Sequence, residues 1–291
     1  MKRSIHLLII DPQNDFCDLP LVYQGSEFDA TAKAPVPVAP ALPVAGAHAD
    51  MQRLGEFIAR GVKGLSDISV TLDSHHFLGI ERPGFWMDAS GGTVNPFTQI
   101  TALDVRQGKY LPRHPQAITR VLAYLDALES QGRYTLMIWP VHCEIGTWGH
   151  AVHQDVRNAY HQWERLQLGV VNKVTKGSNP WTEHYSALMA EVPDPTDPST
   201  QMNTGVIATL QQSDLLLIAG EAGSHCVKAT TEHIVQNFGN QSLSNIVLLT
   251  DCISPVAGFE AQYHAFLTDM KAKGCTVAAS LDVLPDVLAD K

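Results

Sequence analysis

Short apolar runs punctuate the chain at residues 5–10, 68–72, 134–139, 215–219, 246–250 and 276–279. They are aliphatic and lack polar alternation, the pattern of parallel strands buried on both faces. Between them apolar residues recur at helical spacing. One set is Met51, Leu54, Phe57 and Ile58; a second is Ile118, Val121, Leu122, Leu125 and Leu128. A third, Phe259, Tyr263, Phe266, Leu267 and Met270, ends ahead of Gly274. Strand alternating with helix over residues 1–291 predicts one α/β domain. Its expected form is a doubly wound, six-stranded, mostly parallel sheet with helices on both faces.

Two segments interrupt this rhythm. Residues 19–46 contain Ala34-Pro35-Val36-Pro37-Val38-Ala39-Pro40 and read as an extended, proline-rich loop. Residues 77–114 carry Pro83-Gly84, Gly91-Gly92 and Asn95-Pro96 and read as a long excursion. Loop insertions of such length are usually lids or flexible segments. No internal repeat is found.

Composition narrows the class. With 45% hydrophobic and 17% charged residues the chain fits a soluble globular protein with a sizeable core. A net charge of −10 argues against a nucleic-acid partner. Cys17, Cys143, Cys226, Cys252 and Cys275 are odd in number, irregularly spaced and form no CxxC pair. Neither a zinc knuckle nor a disulfide framework is indicated, and a reduced, cytoplasmic protein is expected. Residues 1–10 imitate a signal peptide, but the apolar run stops at Asp11-Pro12 with no small-residue cleavage site, so it reads as a strand. No stretch approaches the ~20 apolar residues of a membrane span.

In open α/β sheets ligands sit beyond the carboxyl ends of the strands, so the polar residues ending each run carry the chemistry. They are Asp11, then Asp73 and His75, then His142, then Gly220-Glu-Ala-Gly-Ser-His-Cys226. Cys226 follows a glycine-containing turn and opens a helical pattern. A helix N-terminus there would lower its thiol pKa and supply donors to an oxyanion; taken singly, it reads equally as a small core cysteine. Asp11 could take and return a proton, or serve as a turn cap. Asp73-Ser-His75 with His142 offers one carboxylate and two imidazoles to a metal, although histidine is frequent in this chain. Lys176 would favour nearby anions, or lie in a solvated Lys176-Gly177 turn.

Taken together, five motifs in order carry a resemblance. Asp11-Pro-Gln-Asn-Asp-Phe-Cys17, Asp73-Ser-His75, Trp139-Pro-Val-His-Cys143, Lys176-Gly177 through Glu183-His-Tyr-Ser186, and Ala219-Gly-Glu-Ala-Gly-Ser-His-Cys-Val-Lys-Ala-Thr230 resemble the motifs of the nicotinamidase/isochorismatase-like cysteine hydrolases. The resemblance spans roughly residues 4–280 apart from the two insertions. It implies a catalytic set of Asp11, Lys176 and Cys226. It implies one divalent metal ion, zinc in the first instance with other first-row ions accepted, on Asp73, His75 and His142. Glu183 would lie near the ion, directly or through water. It further implies a cis peptide before Ala222, with the N–H groups of Ala222 and Cys226 forming an oxyanion hole, and aromatic walls from Phe16, Trp139 and Tyr185. Two departures flank the nucleophile. His225 stands where tyrosine is usual and Glu221 where an apolar residue is common, and both are expected to add polar contacts to a ligand.

The implied activity is amide hydrolysis through a cysteine thioester, with nicotinamide as first substrate and NAD salvage as context. Alternatives are another hydrolase of this superfamily, acting on a different amide, a ureido compound or a vinyl ether, and a catalytically silent binding protein. The intact Asp11, Lys176 and Cys226 set argues against silence. The implied partner is a small-molecule amide, with no membrane or nucleic acid, and self-association into a homo-oligomer stays open.

Overall fold

In the computed structural model, which describes residues 3–239 and 242–289, the first apolar run becomes strand β1 (Ile5–Ile10), every residue of it buried. Around it lie β2 (Asp67–Asp73), β3 (Asn172–Lys176), β4 (Leu215–Gly220), β5 (Ile246–Leu249) and β6 (Thr276–Ala278). They form one sheet in the order β6-β5-β4-β1-β2-β3, and each neighbouring pair is parallel. The chain winds outward from β1 to β3, returns to lay β4 beside β1, and winds outward again. The order therefore reverses between β1 and β4, and that crevice is where such sheets bind ligands.

The third apolar run is not a strand of this sheet. Only Leu136–Met137 is extended, and it pairs antiparallel with Gln99–Ile100 outside the sheet. The run is apolar on both faces because it lies between two cores. Met137 and Trp139 join the main one, whereas Leu136 and Ile138 join a second. The sixth strand is instead β3 at the sheet edge. Its exposed Asn172, Lys173 and Thr175 alternate with buried Val174 and Lys176, as befits a strand with one solvated face.

Eight α-helices are present among the described residues: α1 (Ala47–Gly61), α2 (Ala102–Arg106), α3 (Ile118–Ser130), α4 (Gln154–Gln167), α5 (Thr204–Leu210), α6 (Cys226–Asn237), α7 (Glu260–Ala272) and α8 (Ser280–Ala289). The helical faces anticipated around Met51, Ile118 and Tyr263 are α1, α3 and α7. Asp18 caps the start of α1 by accepting from Gly46 N and His48 N at 2.8 Å each, a carboxylate at the positive end of the helix dipole. α1 packs against α4 and α8, while α6 packs against β4 and α7, so the central strands are covered on both sides. None of these helices is long and apolar enough to cross a membrane.

Both interrupting segments are structured. The proline-rich stretch is one arm of an exposed antiparallel ribbon, Gly25–Asp29 against Ala34–Val38. Beyond it the chain turns inward. Leu42 N and Val44 N donate to Asp15 O and Phe16 O, which seats both side chains in the main core. The 77–114 excursion contains a ribbon of Trp86–Asp88 with Tyr110–Pro112, the Gln99–Ile100 strand and α2. Its Trp86, Ile100 and Val105 pack with Val121, Leu125 and Leu128 of α3 into the second core. An apolar cluster of its own makes this segment a packed subassembly.

Candidate active site

Strand register assembles the site. Asp73, the last residue of β2, lies directly beside Lys176, the last residue of β3. Ile10 of β1 lies beside Gly220 of β4, so Asp11 leaves the sheet next to the loop that leads to Cys226. A β-carbon on Gly220, which has φ +118°, would lie 2.0 Å from Ile10 O, so this close approach of β1 and β4 requires glycine. The Glu221–Ala222 peptide is cis, where the motif resemblance implied it. Cys226 is the first residue of α6.

The structure brings Asp11, Lys176 and Cys226 into contact, all of them buried. Lys176 Nζ is 3.0 Å from Asp11 Oδ2, 2.8 Å from Asp73 Oδ1 and 3.5 Å from Cys226 Sγ, and it donates to His184 O at 3.0 Å. The solvated-turn reading of Lys176 is thereby excluded. Thr71 Oγ1 donates to Asp11 Oδ1 at 2.5 Å and accepts from Asp11 N at 3.0 Å, which fixes the carboxylate from its other side. Burial works against the Lys176 charge, but Asp11 and Asp73 outweigh it and hold the ammonium well above its usual range. Burial pushes the Asp11 carboxyl up, only partly opposed by Lys176.

The cysteine corrects an expectation. Burial pushes the Cys226 thiol well up, Lys176 pulls it down, and Asp11 and Asp73 add to the rise. The helix N-terminus was expected to lower the thiol pKa, whereas burial beside two carboxylates raises it.

Asp73 divides its oxygens. Oδ1 faces Lys176, while Oδ2 is 2.8 Å from His75 Nε2 and 3.3 Å from His142 Nε2. Ligand atoms of Asp73, His75 and His142 lie within 4.8 Å of one another, so these buried residues could hold a metal ion. Two imidazoles and one carboxylate suit zinc and its first-row neighbours. The outer ring nitrogens are also engaged. His75 Nδ1 is 3.3 Å from Glu81 Oε1, and His142 Nδ1 is 2.8 Å from both Pro140 O and Arg82 Nη1. Arg82 Nη1 can only donate, so its contact makes His142 Nδ1 an acceptor and turns the Nε2–H toward Asp73 Oδ2. Burial and Arg82 push His142 down to about 4, whereas Asp73 outweighs burial and raises His75 to about 9. Burial and then Glu81 push Glu183 up to about 7. Its Oε1 accepts from His184 N at 2.8 Å, and it lines the pocket outside the three-residue cluster.

Several of these contributors were not singled out in the sequence. Glu81 and Arg82 belong to the excursion, and nothing local in the sequence marks them. Gln13 was legible only as part of a motif. It donates to Asp73 O and accepts from Asp73 N, both at 2.8 Å, so it clamps the backbone that carries the carboxylate. Asp15 likewise accepts from Cys143 N at 2.7 Å and Ala41 N at 3.0 Å.

A pocket opens on Cys226, Lys176 and Asp73. Phe16, Trp139, Tyr185, His225 and Ala222 line it, joined by Leu42, His184 and Val256. Trp139 Nε1 donates to the Tyr185 hydroxyl at 3.1 Å. The His225 ring is 5.1 Å from Trp139 and 5.2 Å from Tyr185 between centroids. Burial pushes His225 down to about 3, so it is a neutral polar wall. Glu221 does not add the polar contact expected of it. Its side chain is fully buried away from the pocket and accepts from Ser254 N at 3.2 Å. Ser254 Oγ in turn donates to Asp50 Oδ2 at 2.5 Å.

A scan of family models gives no match, and no curated protein matches in sequence. Solved structures do match over almost the whole chain. A nicotinamidase/pyrazinamidase of Acinetobacter baumanii superposes with a TM-score of 0.60 at 17% identity, over 97% of this chain and 98% of the other. The yeast nicotinamidase bound to the inhibitor nicotinaldehyde gives 0.59 at 18% identity, over 95% and 100%. A protein of L. infantum in complex with nicotinate gives 0.54 at 18% identity, over 96% and 93%. At these identities the likeness is one of fold: the chain has the α/β fold of these nicotinamidase structures.

Proposed function

We propose that this protein is a cysteine-dependent amidase whose first substrate is nicotinamide, released as nicotinate and ammonia. The observation that carries the reading is the buried contact of Lys176 with Asp11 and Cys226 at the crevice between β1 and β4. A buried lysine between a carboxylate and a thiol, walled by aromatic rings, places a proton donor, a proton acceptor and a nucleophile in one pocket. The yeast relative holds nicotinaldehyde and the L. infantum one nicotinate, which supports a flat heteroaromatic ligand.

In this mechanism Asp11 takes the proton of the Cys226 thiol as sulfur attacks the amide carbonyl. Its raised pKa suits a base that must later return a proton. The N–H groups of Ala222 and Cys226 receive the developing oxyanion. As the carbon–nitrogen bond breaks, Asp11 delivers its proton to the departing ammonia and leaves a thioester. A water molecule then attacks the thioester carbonyl, giving its proton to Asp11. Carbon–sulfur cleavage frees the acid, and the proton returns to Cys226. Lys176 keeps Asp11 anionic before attack and favours the transient thiolate. Phe16, Trp139 and Tyr185 hold the ring, with His225 as a polar contact. A divalent ion bound by Asp73, His75 and His142, with Glu183 nearby, would orient a ring nitrogen or a water.

The test is kcat/KM for ammonia release from nicotinamide, pyrazinamide, benzamide and aliphatic amides with metal-replete protein. Nicotinamide is expected to lead. Equal rates for nicotinamide and benzamide would remove the ring nitrogen from the recognition. No ammonia from either would end the nicotinamidase reading.

A further inference from the structure

Three consecutive polar residues, Gln13, Asn14 and Asp15, follow Asp11-Pro12, and the proposed reaction uses none of them. All three are buried. Each commits its side chain to backbone groups of another segment. Gln13 Oε1 accepts from Asp73 N at 2.8 Å, while its Nε2 donates to Asp73 O at 2.8 Å and to His150 O at 3.0 Å. Asn14 Nδ2 donates to Trp148 O at 2.9 Å. Asp15 Oδ2 accepts from Cys143 N at 2.7 Å and Oδ1 from Ala41 N at 3.0 Å. A buried amide or carboxylate is costly to leave unpaired, so these bonds fix where the partner peptides lie.

Two of the three residues grip the Asp73, His75 and His142 cluster. Gln13 brackets the peptide groups on both sides of Asp73, the carboxylate member at the end of β2. The two imidazole members meet at Cys143. His142 immediately precedes it, and His75 N donates to Cys143 O at 3.1 Å. Cys143 has φ +49°, in the left-handed region that is costly for a residue with a β-carbon. Asp15 holds its N–H and His75 its carbonyl, so the turn is kept in that conformation from both ends. His142 lies outside the six-stranded sheet, where strand register cannot place it against Asp73. The Asp15 carboxylate has no room to move. Asp15 N donates to Gly149 O at 3.1 Å, and a β-carbon on Gly149 would lie 2.0 Å from Asp15 Oδ2.

We propose that Gln13 and Asp15 are positioning residues for metal binding: Gln13 fixes the carboxylate ligand, and Asp15 fixes the turn that presents His142. Both act through peptide groups and not as ligands. They hold Asp73 and His142 at ligating separation, so little ordering remains for an incoming ion to impose. The inference rests on the metal reading of the cluster and is independent of which amide is the substrate.

The experiment is the zinc affinity of the full chain, stripped by chelator and measured by competition with a chromogenic chelator. Gln13→Met and Asp15→Asn remove the two grips. Gly149→Ala displaces the Asp15 carboxylate without changing any charge, which separates positioning from electrostatics. Asn14→Ala is the reference, since it loses the same kind of bond to a peptide outside the cluster. The zinc Kd is expected to rise about 10- to 100-fold in Gln13→Met, Asp15→Asn and Gly149→Ala, and to stay near the wild-type value in Asn14→Ala. Cobalt bound in the first three should show altered visible ligand-field bands, a change that loss of stability alone does not produce. Urea unfolding of the metal-free proteins identifies the folded variants, and Gly149→Ala is the mildest of them. Wild-type zinc affinity in the folded variants, or an equal loss in Asn14→Ala, would overturn the inference. A wild-type protein without zinc affinity would overturn the metal reading with it, whereas intact zinc binding without ammonia release would remove the amidase reading alone.

Discussion

Lys176→Met replaces the buried ammonium by an uncharged side chain of similar length and isolates what the charge contributes. In the wild type one Nζ lies within 3.0 Å of the carboxylates of both Asp11 and Asp73. All three residues are at most 3% exposed, so solvent screens little of the interaction. Removing one partner of such a pair leaves an uncompensated buried charge, at a typical cost of about 3–5 kcal/mol. The cost must depend on pH. Asp73 lies well below the usual carboxylate range: burial opposes this, but His75 and Lys176 outweigh it. Its stabilising contribution is therefore present above the unfolded pKa and is lost as pH falls through the folded one. Asp11 is raised, so it already weakens the fold as pH climbs from its unfolded pKa toward its folded one. Without Lys176 both carboxyls move up, each unit being worth about 1.4 kcal/mol. The deficit of the variant should thus grow with pH. Urea unfolding in chelator-treated buffer, followed by tryptophan fluorescence, should give the full deficit near pH ~8 and at least ~1 kcal/mol less near pH ~5. Added zinc should narrow the deficit by neutralising Asp73. A variant within ~0.5 kcal/mol of wild type at the higher pH, the range of an inconsequential surface change, would refute the counter-ion role of Lys176.

Cys226→Ala should fold normally and release no ammonia, and Asp11→Asn should lose about 10²- to 10⁴-fold in kcat, both read in the coupled ammonia assay. Because the resting group is a thiol, iodoacetamide labelling of Cys226 should be slow at neutral pH and quicken as pH rises; a pH-independent rate would indicate a resting thiolate. Untagged protein should carry close to one divalent ion per chain by elemental analysis, and His142→Ala should lose most of it. Glu221 is pushed well above the carboxylate range by burial and then Asp50, so its folded form resists ionisation and the fold loses stability as pH rises above its unfolded pKa of about 4.3. Glu221→Gln should therefore gain melting temperature relative to wild type as pH increases, and parallel pH profiles would contradict this.

Much of the fold is legible because burial on both faces leaves an unbroken aliphatic record. Strands β1, β2, β4 and β5 could be read that way, while β6, exposed or half-buried at the other sheet edge, was marked only by its short apolar run. Strand β3 could not, because one of its faces is wet, and the run at 134–139 took its place because two separate cores bury it. α4 escaped notice for a related reason: its buried face is only Val156, Ala159, Tyr160 and Trp163 in a largely polar helix.

The candidate site divides in the same way. Asp11, Asp73 and Cys226 stand at strand ends or a helix start, and the topology of a parallel sheet carries such positions to one edge, so their order along the chain already implies their meeting, whereas Lys176 ends the unread strand β3 and was placed only by the motif resemblance. The chemical state of that meeting was decided only in three dimensions. The side chain of Glu221 turns inward toward Ser254 and Asp50, and Glu81 and Arg82 reach the imidazoles from a distant excursion. Cys226 rests as a thiol because desolvation in the closed pocket outweighs the single ammonium beside it. Residue order specifies which groups can converge; dielectric, distance and the sum of neighbouring charges exist only once the chain has packed, and they set protonation and direction.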